Sequence, residues 1–333
     1  MGVVVNYIIP RIITYFLVIF IGITLCFLVP RFTPLDPVMA IINRFSEYGE
    51  YYDPEALKNM IESMKELYGL KGSLLEQYVT FLRRLLTGDF GPSLVHFPIP
   101  AIRIVHKALP WTLSLLSISV IIGWLMGNLL GGIAGYFSDR KWAKSLGIFA
   151  TAVYPIPYYI MALILIMLLT YILPIFPTYG APPVLPSLSL TFILSYLHHT
   201  FLPALSLVLV NYGWWFLSMR SLITKTISED YVEFAKVSGV PERRLLWRYV
   251  IRNSLLPQVT GLSVALGGIF NGALITEVVF SYPGIGWILY TSVMSGDFNL
   301  MMAITTYSIV AVATATLLLD LLYPLVDPRI RYR

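Results

Sequence analysis

Apolar residues in this chain fall into long, nearly unbroken runs separated by short polar stretches. Six runs read as helical spans of a bilayer: 12–29, 113–137, 148–174, 200–217, 256–280 and 300–325. About 20 helical residues cover roughly 30 Å of hydrocarbon, so runs of this length point to membrane spans rather than soluble core helices. Between the first and second spans the pattern turns periodic. Leu57, Met60, Ile61, Met64 and Leu67 recur at helical spacing after Asp53 and Pro54, an N-cap followed by a proline suited to the first helical position. A second amphipathic helix starts at Ser73, where Glu76 completes a capping box. It carries Leu75, Tyr78, Phe81, Leu82 and Leu85 and stops at Gly88. These two helices can pack on each other and on the span ends, lie on lipid, or form part of a mouth; mutual packing is the expectation.

The pattern predicts an all-α integral membrane protein with six transmembrane helices and a small external helical domain. Its expected organisation is 1–30 for the N-terminus and first span, 31–110 for the external domain, and 111–333 for a five-helix core with a polar loop at 219–256. Composition agrees, since 57% of the 333 residues are hydrophobic and only 12% charged. Arg11 precedes the first span as it would in a signal sequence, but the run is long and no small-x-small site follows, so an uncleaved anchor is expected. The single cysteine, Cys26, excludes an internal disulfide.

Within the second span Gly123, Gly127, Gly131 and Gly135 fall every fourth residue, a stripe that lets another helix backbone approach closely. Packing within the chain is the expected use. Gly268 and Gly272 repeat the spacing once in the fifth span.

Lysine and arginine set the orientation, because cytoplasmic loops carry their excess. With both termini inside, the inner segments hold Arg11, Arg140, Lys141, Lys144, Arg220, Lys225, Lys236, Arg243, Arg244, Arg248, Arg252, Arg329, Arg331 and Arg333, against six acids. The outer segment 31–108 carries nine of each sign. A multi-pass protein of the cell membrane with cytoplasmic termini accounts for the whole basic excess, and nucleic acid is not an expected partner.

Five of those cations crowd into YVEFAKVSGVPERRLLWRYVIRNSLLP, residues 231–257. It reads as helix, turn, helix. Ser228 is the expected cap, with Glu229 and Asp230 in a first turn that favours acids. Tyr231, Phe234, Ala235 and Ser238 share a face, Gly239 ends the helix, and Pro241 opens the next where no backbone N–H is needed. Arg244, Arg248 and Arg252 then form a row beside an apolar strip, a surface for a partner or for anionic lipid headgroups.

Glu233, Ala235 and Gly239 resemble the E-A-A-x-x-x-G signature of permease subunits of binding-protein-dependent ABC importers, with Phe234 in place of an alanine. Further stretches in the correct order resemble the B-type dipeptide and oligopeptide branch: RFTPLDP, ELYGL, LLTGDFGPSL, ILPIFPTYG, EVVFSYPGIG, and the terminal LLDLLYPLVDPRIRY. The resemblance implies the type I importer permease fold. It implies that 219–256 is a coupling loop, with Glu233, Phe234, Ala235, Gly239, Pro241, Arg244 and Arg248 at an ATPase-docking surface. It further implies a second homologous permease, two cytoplasmic ATPase subunits that hold the ATP and Mg, and an external binding protein that delivers peptides, oligosaccharides or nickel. By the same resemblance, this chain itself is expected to need no cofactor and to perform no catalysis.

Asn211, Asn271 and Glu277 are candidates for the translocation pathway, because polar groups in spans face protein or water. Asp320 is expected to tie helices together, and His198 with His199 does not make a metal ligand set. The competing reading is a secondary transporter driven by an ion gradient, which would show internal repeats and midplane acids. A membrane enzyme would need G-x-S-x-G or H-E-x-x-H, and neither occurs, nor does a phosphate-binding GxxxxGK[ST].

Overall fold

The computed structural model describes residues 8–32, 54–183, 186–271 and 273–326. Asp53, most of the RFTPLDP stretch, Gly272 and the tail from 327 lie outside the described residues. Among the described residues the secondary structure is helical, with no strand beyond an isolated bridge between Pro92 and Pro100. The helices are α1 (Ile9–Phe32), α2 (Pro54–Leu67), α3 (Leu74–Thr87), α4 (Ala101–Tyr136), α5 (Lys141–Val153), α6 (Tyr158–Ile172), α7 (Leu190–Ile227), α8 (Asp230–Val237), α9 (242–267), α10 (Leu274–Val279), α11 (Ile285–Ser295) and α12 (Phe298–Val326).

Four of them, α1, α4, α7 and α12, are unbroken and apolar enough to cross a membrane. The other two predicted spans differ from straight rods. The third is a pair, α5 and α6, bent by 103° at the break. Pro155 and Pro157 lie in that break, and neither can donate a backbone hydrogen bond. The fifth is interrupted: α9 ends at Gly267, a 3₁₀ turn covers Gly268–Asn271, and the short α10 follows. Adjacent glycines at 267 and 268 are poor helix formers, so the chain leaves the helix there. A methyl group on Gly268 would meet nothing within 4 Å, so the Gly268/Gly272 spacing does not mark a packing stripe at Gly268.

The chain divides into two compact units, Met1–Trp111 with Pro283–Leu317, and Thr112–Tyr282 with Leu318–Arg333. In the first, α3 packs on α1 through Phe27, which is fully buried among Ile23, Phe81 and Met302. The ring of Tyr78 stands edge-on to Phe27 at 5.0 Å, and the Arg31 guanidinium lies over the Phe27 ring, 3.6 Å from its centroid. The capping box forms as predicted: Glu76 N–H donates to Ser73 Oγ, and Ser73 N–H donates to Glu76 Oε2 at 2.7 Å. Those bonds hold the Glu76 carboxyl below its usual value. The loop after α3 is knitted to the start of α12 by Asp297, which is fully buried. One carboxylate oxygen caps Leu300 N–H at 3.0 Å, and the other accepts from Ser93 Oγ and from Val95 N–H. Burial, with Asp297 nearby, pushes the Tyr68 phenol up to about 12.

In the second unit α7 is the central helix, and α5, α6 and the latter part of α9 pack on it. Ser189 caps α7 by accepting from Phe192 N–H at 3.2 Å. The four glycines of α4 lie along α7. A methyl on Gly123 would stand 2.8 Å from Asn211 Cβ, one on Gly127 2.5 Å from Trp215 Cβ, one on Gly131 2.5 Å from the Phe216 carbonyl oxygen, and one on Gly135 3.0 Å from Ile223 Cβ. Such distances leave no room for a side chain, so α4 and α7 approach backbone to backbone over about three turns.

Candidate functional site

The charged elbow is built where α7 runs out of apolar sequence. The helix ends at Ile227 with Ser228 as its C-cap, and α8 starts after Glu229, whose side chain makes no capping bond. The Ser228 hydroxyl turns back to the Thr224 carbonyl instead. Ser228 is thus the C-cap of the long helix rather than the predicted N-cap of the next, a place taken by Glu229. Gly239 closes α8 in the left-handed region at φ 76°. Gly239 N–H donates to Lys236 O at 3.1 Å and Val240 N–H to Ala235 O at 3.1 Å, the paired bonds of a Schellman motif. No atom lies within 4 Å of where a side chain on Gly239 would begin, so backbone conformation alone selects glycine there. Pro241 precedes α9, and its carbonyl accepts from Arg244 and Leu245 N–H.

The next turns take an unusual register. Leu245–Ile251 is a π segment, in which bonding runs from i to i+5. Buried residues follow that spacing, Leu245 with Val250 and Leu246 with Ile251. They form one core with Met219 and Ile223 of α7 and with Val232 and Ala235 of α8. Thr226 and Ser254 hydroxyls meet at 2.8 Å, and Asn253 Nδ2 donates to Tyr231 Oη at 3.1 Å. The first contact ties α9 to α7, and the second ties α9 to α8.

What remains outside is a knob. Phe234 is 75% and Val237 83% exposed, while Val232 and Ala235 on the opposite side are buried. The predicted grouping of Phe234 with Ala235 on one face is thereby split: Phe234 points outward, and Ala235 holds the elbow to its core. Glu233, Lys236, Arg243, Arg244, Trp247, Arg248 and Arg252 of the elbow are exposed as well. Fully burying a residue of this size is worth about 1.5–3 kcal/mol, a gain that Phe234 and Val237 forgo in the isolated chain.

The pathway candidates lie on α7, on the 3₁₀ turn and on α10. Asn211 sits half-buried against the Gly123 gap, Asn271 closes the 3₁₀ turn with its side chain outside the described residues, and Glu277 of α10 is fully buried. Thr112 Oγ1 donates to Glu277 Oε1 at 2.8 Å. Close by in sequence, Tyr196 Oη donates to Ser114 Oγ at 2.8 Å and meets Tyr282 Oη at 3.3 Å, with Tyr282 fully buried. Sequence reading missed these hydroxyl partners because single Thr, Ser and Tyr residues in apolar runs carry no period. Asp297 was legible in part, as an Asp following a helix-stopping glycine is an N-cap signal. His198 and His199 each bond a backbone carbonyl, Ile175 O and Ser195 O. Among the described residues no group of three or more His, Cys, Asp or Glu can hold a metal ion.

The long apolar helices, with the exposed elbow at the end of α7, define a multi-span membrane protein. The family model of the binding-protein-dependent transport system inner membrane component matches residues 127–332, and the chain belongs to this family. It is 31% identical to the oligopeptide transport system permease protein AppB of Bacillus subtilis (strain 168), covering 94% of this chain and 96% of the relative. It is 26% identical to the dipeptide transport system permease protein DppB of Lactococcus lactis subsp. cremoris (strain MG1363), over 98% and 99%. With the glutathione transport system permease protein GsiC of Escherichia coli (strain K12) it shares 28% identity, over 98% and 99%.

Proposed function

We propose that this permease subunit carries peptides inward by coupling to ATPase subunits through the elbow. The observation that carries the reading is the exposed pair Phe234 and Val237 on a helix locked by Val232, Ala235 and the Gly239 cap. A knob that is rigidly joined to α7 transmits displacement. A partner groove that accepts Phe234 and Val237, rimmed by acids to meet Arg243, Arg244 and Arg248, would move α7 and with it α4, which is seated along the glycine stripe. Two cytoplasmic ATPases holding ATP and Mg, a second homologous permease and an external binding protein complete the assembly. The termini face the cytoplasm, on the side of the elbow. Peptide is the cargo class we take, because the relatives named above are oligopeptide, dipeptide and glutathione permeases.

The test is a short-reach crosslink. In the assembled transporter, Phe234→Cys and Val237→Cys should each form an adduct with an ATPase subunit, and Ala235→Cys should not. Adducts at none of these positions, with uptake still dependent on ATP, would remove the elbow from the coupling route. Uptake that survives ATP depletion but stops when the ion gradient collapses would support a secondary transporter instead.

A further inference from the structure

Helix α3 carries more apolar surface than its own protein covers. At about 100° per residue, Tyr78, Phe81 and Leu85 share the arc turned toward α1. The neighbouring arc holds Leu75, Leu82, Leu86 and Val79, and the remaining one holds Glu76, Thr80, Arg83 and Thr87. The first arc is occupied: Phe81 is buried, and Tyr78 and Leu85 pack with it on the Phe27 cluster. The second is largely bare, with Leu86 89%, Leu75 71% and Val79 49% exposed. The polar arc is exposed as well. A helix between protein and water alone would need two sectors; α3 has three.

The depth of α3 is fixed by its contacts. Tyr78 Oη meets Thr24 Oγ1 at 2.7 Å, Phe81 lies 5.4 Å from the Phe27 ring, and Gln77 accepts from Arg31 Nε at 3.0 Å. Thr24 is eight residues from the end of α1 at Phe32, about 12 Å along the axis. α3 is thus level with the last turns of a membrane span, and α1 is itself bare and apolar there, with Leu25 55%, Val29 62% and Phe32 77% exposed.

We infer that α3 lies in the membrane interface, with Leu75, Val79 and Leu86 seated among lipid acyl chains of the leaflet that holds the C-terminal end of α1, and with Glu76, Thr80 and Arg83 toward water and headgroups. Its occupant is lipid because the exposed sector sits at the depth where the span beside it also presents bare apolar residues. An apolar sector, a polar sector and a shallow depth are the marks of an interfacial helix.

Nitroxide labels at 75, 76, 79, 80, 83 and 86, one at a time in a Cys26→Ser background, test this in the complete transporter reconstituted into phosphatidylcholine vesicles. Oxygen collisions should exceed nickel-chelate collisions at 75, 79 and 86, with the order inverted at 76, 80 and 83. Nickel access at 75, 79 and 86 would place the sector in water, and low access to both reagents would place it under a protein partner; either overturns the inference. The unsubstituted transporter provides a second measurement. A phosphatidylcholine with a diazirine in its acyl chain should leave adducts in the 74–87 peptide as it does at Leu25 and Val29 of α1. Adducts on α1 with none on α3 would also overturn it.

Discussion

Thr112 of α4 donates a hydrogen bond to Glu277 of α10 across 2.8 Å, and Glu277 has no exposed surface at all. A carboxyl group in that position depends on its donors, since an unpaired buried polar atom costs about 1–3 kcal/mol. Thr112→Val should destabilise the purified protein by an amount of that order and so lower its thermal midpoint, while Thr112→Ser should stay near the parent. Differential scanning fluorimetry in one detergent separates the two variants. Equal midpoints for Val and Ser would show that Glu277 is held by its other surroundings.

The glycine stripe makes a graded prediction. Gly131→Ala would push a methyl to 2.5 Å from the Phe216 carbonyl and 2.9 Å from its Cα, backbone atoms that cannot rotate away. Overpacking of this kind costs about 1–3 kcal/mol. Gly268→Ala, with open space and an ordinary φ of −71°, should instead be neutral or raise stability by up to about 1 kcal/mol. Unfolding midpoints of the two variants check the contrast.

At the elbow, Gly239→Ala meets no steric obstacle but must hold φ at 76°, a strain of about 1–2 kcal/mol. It should fray α8 and lower ATP-dependent uptake while leaving membrane insertion intact. Gly239→Asn should recover part of the loss, because asparagine tolerates the left-handed region. Uptake assays on matched amounts of membrane protein compare the three. Phe234→Ala is the complementary case: the fold should be unchanged and the coupling lost.

Glu76 gives a pH prediction whose sign follows from its bonds to Ser73. Its folded value is depressed below the ordinary 4.5, so its contribution is present above that value and disappears as pH falls through the lower folded one. Amide exchange at the start of α3 should therefore quicken on acidification in the parent and be nearly pH-independent, after correction for intrinsic rates, in Glu76→Gln. A similar acid response in both would discount the capping box.

Asp297 predicts a local effect. Asp297→Ala removes the cap on Leu300 and the acceptor for Ser93 and Val95 together. Protease should then cut the 88–100 loop faster, and Ser93→Ala alone should produce a smaller change. Equal cutting in parent and Asp297→Ala would deny the carboxylate its holding role.

The hydrophobic pattern by itself determined the four unbroken spans, the two amphipathic helices, the Ser73–Glu76 box and the glycine spacing, because each is a local or periodic property of adjacent residues. It also located the elbow, since Gly239, Pro241 and the arginines act on the backbone or the solvent directly. Only the tertiary structure decided that the third span bends and the fifth breaks, because whether a proline or a glycine pair is absorbed or ends a helix depends on neighbours that can satisfy the freed carbonyls. It likewise turned Ala235 inward and Phe234 outward, shifted the second elbow helix into a five-residue register, and joined Thr112 to Glu277 across 165 residues of chain. Those outcomes are set by which helices meet, and packing between distant segments leaves no period in the sequence.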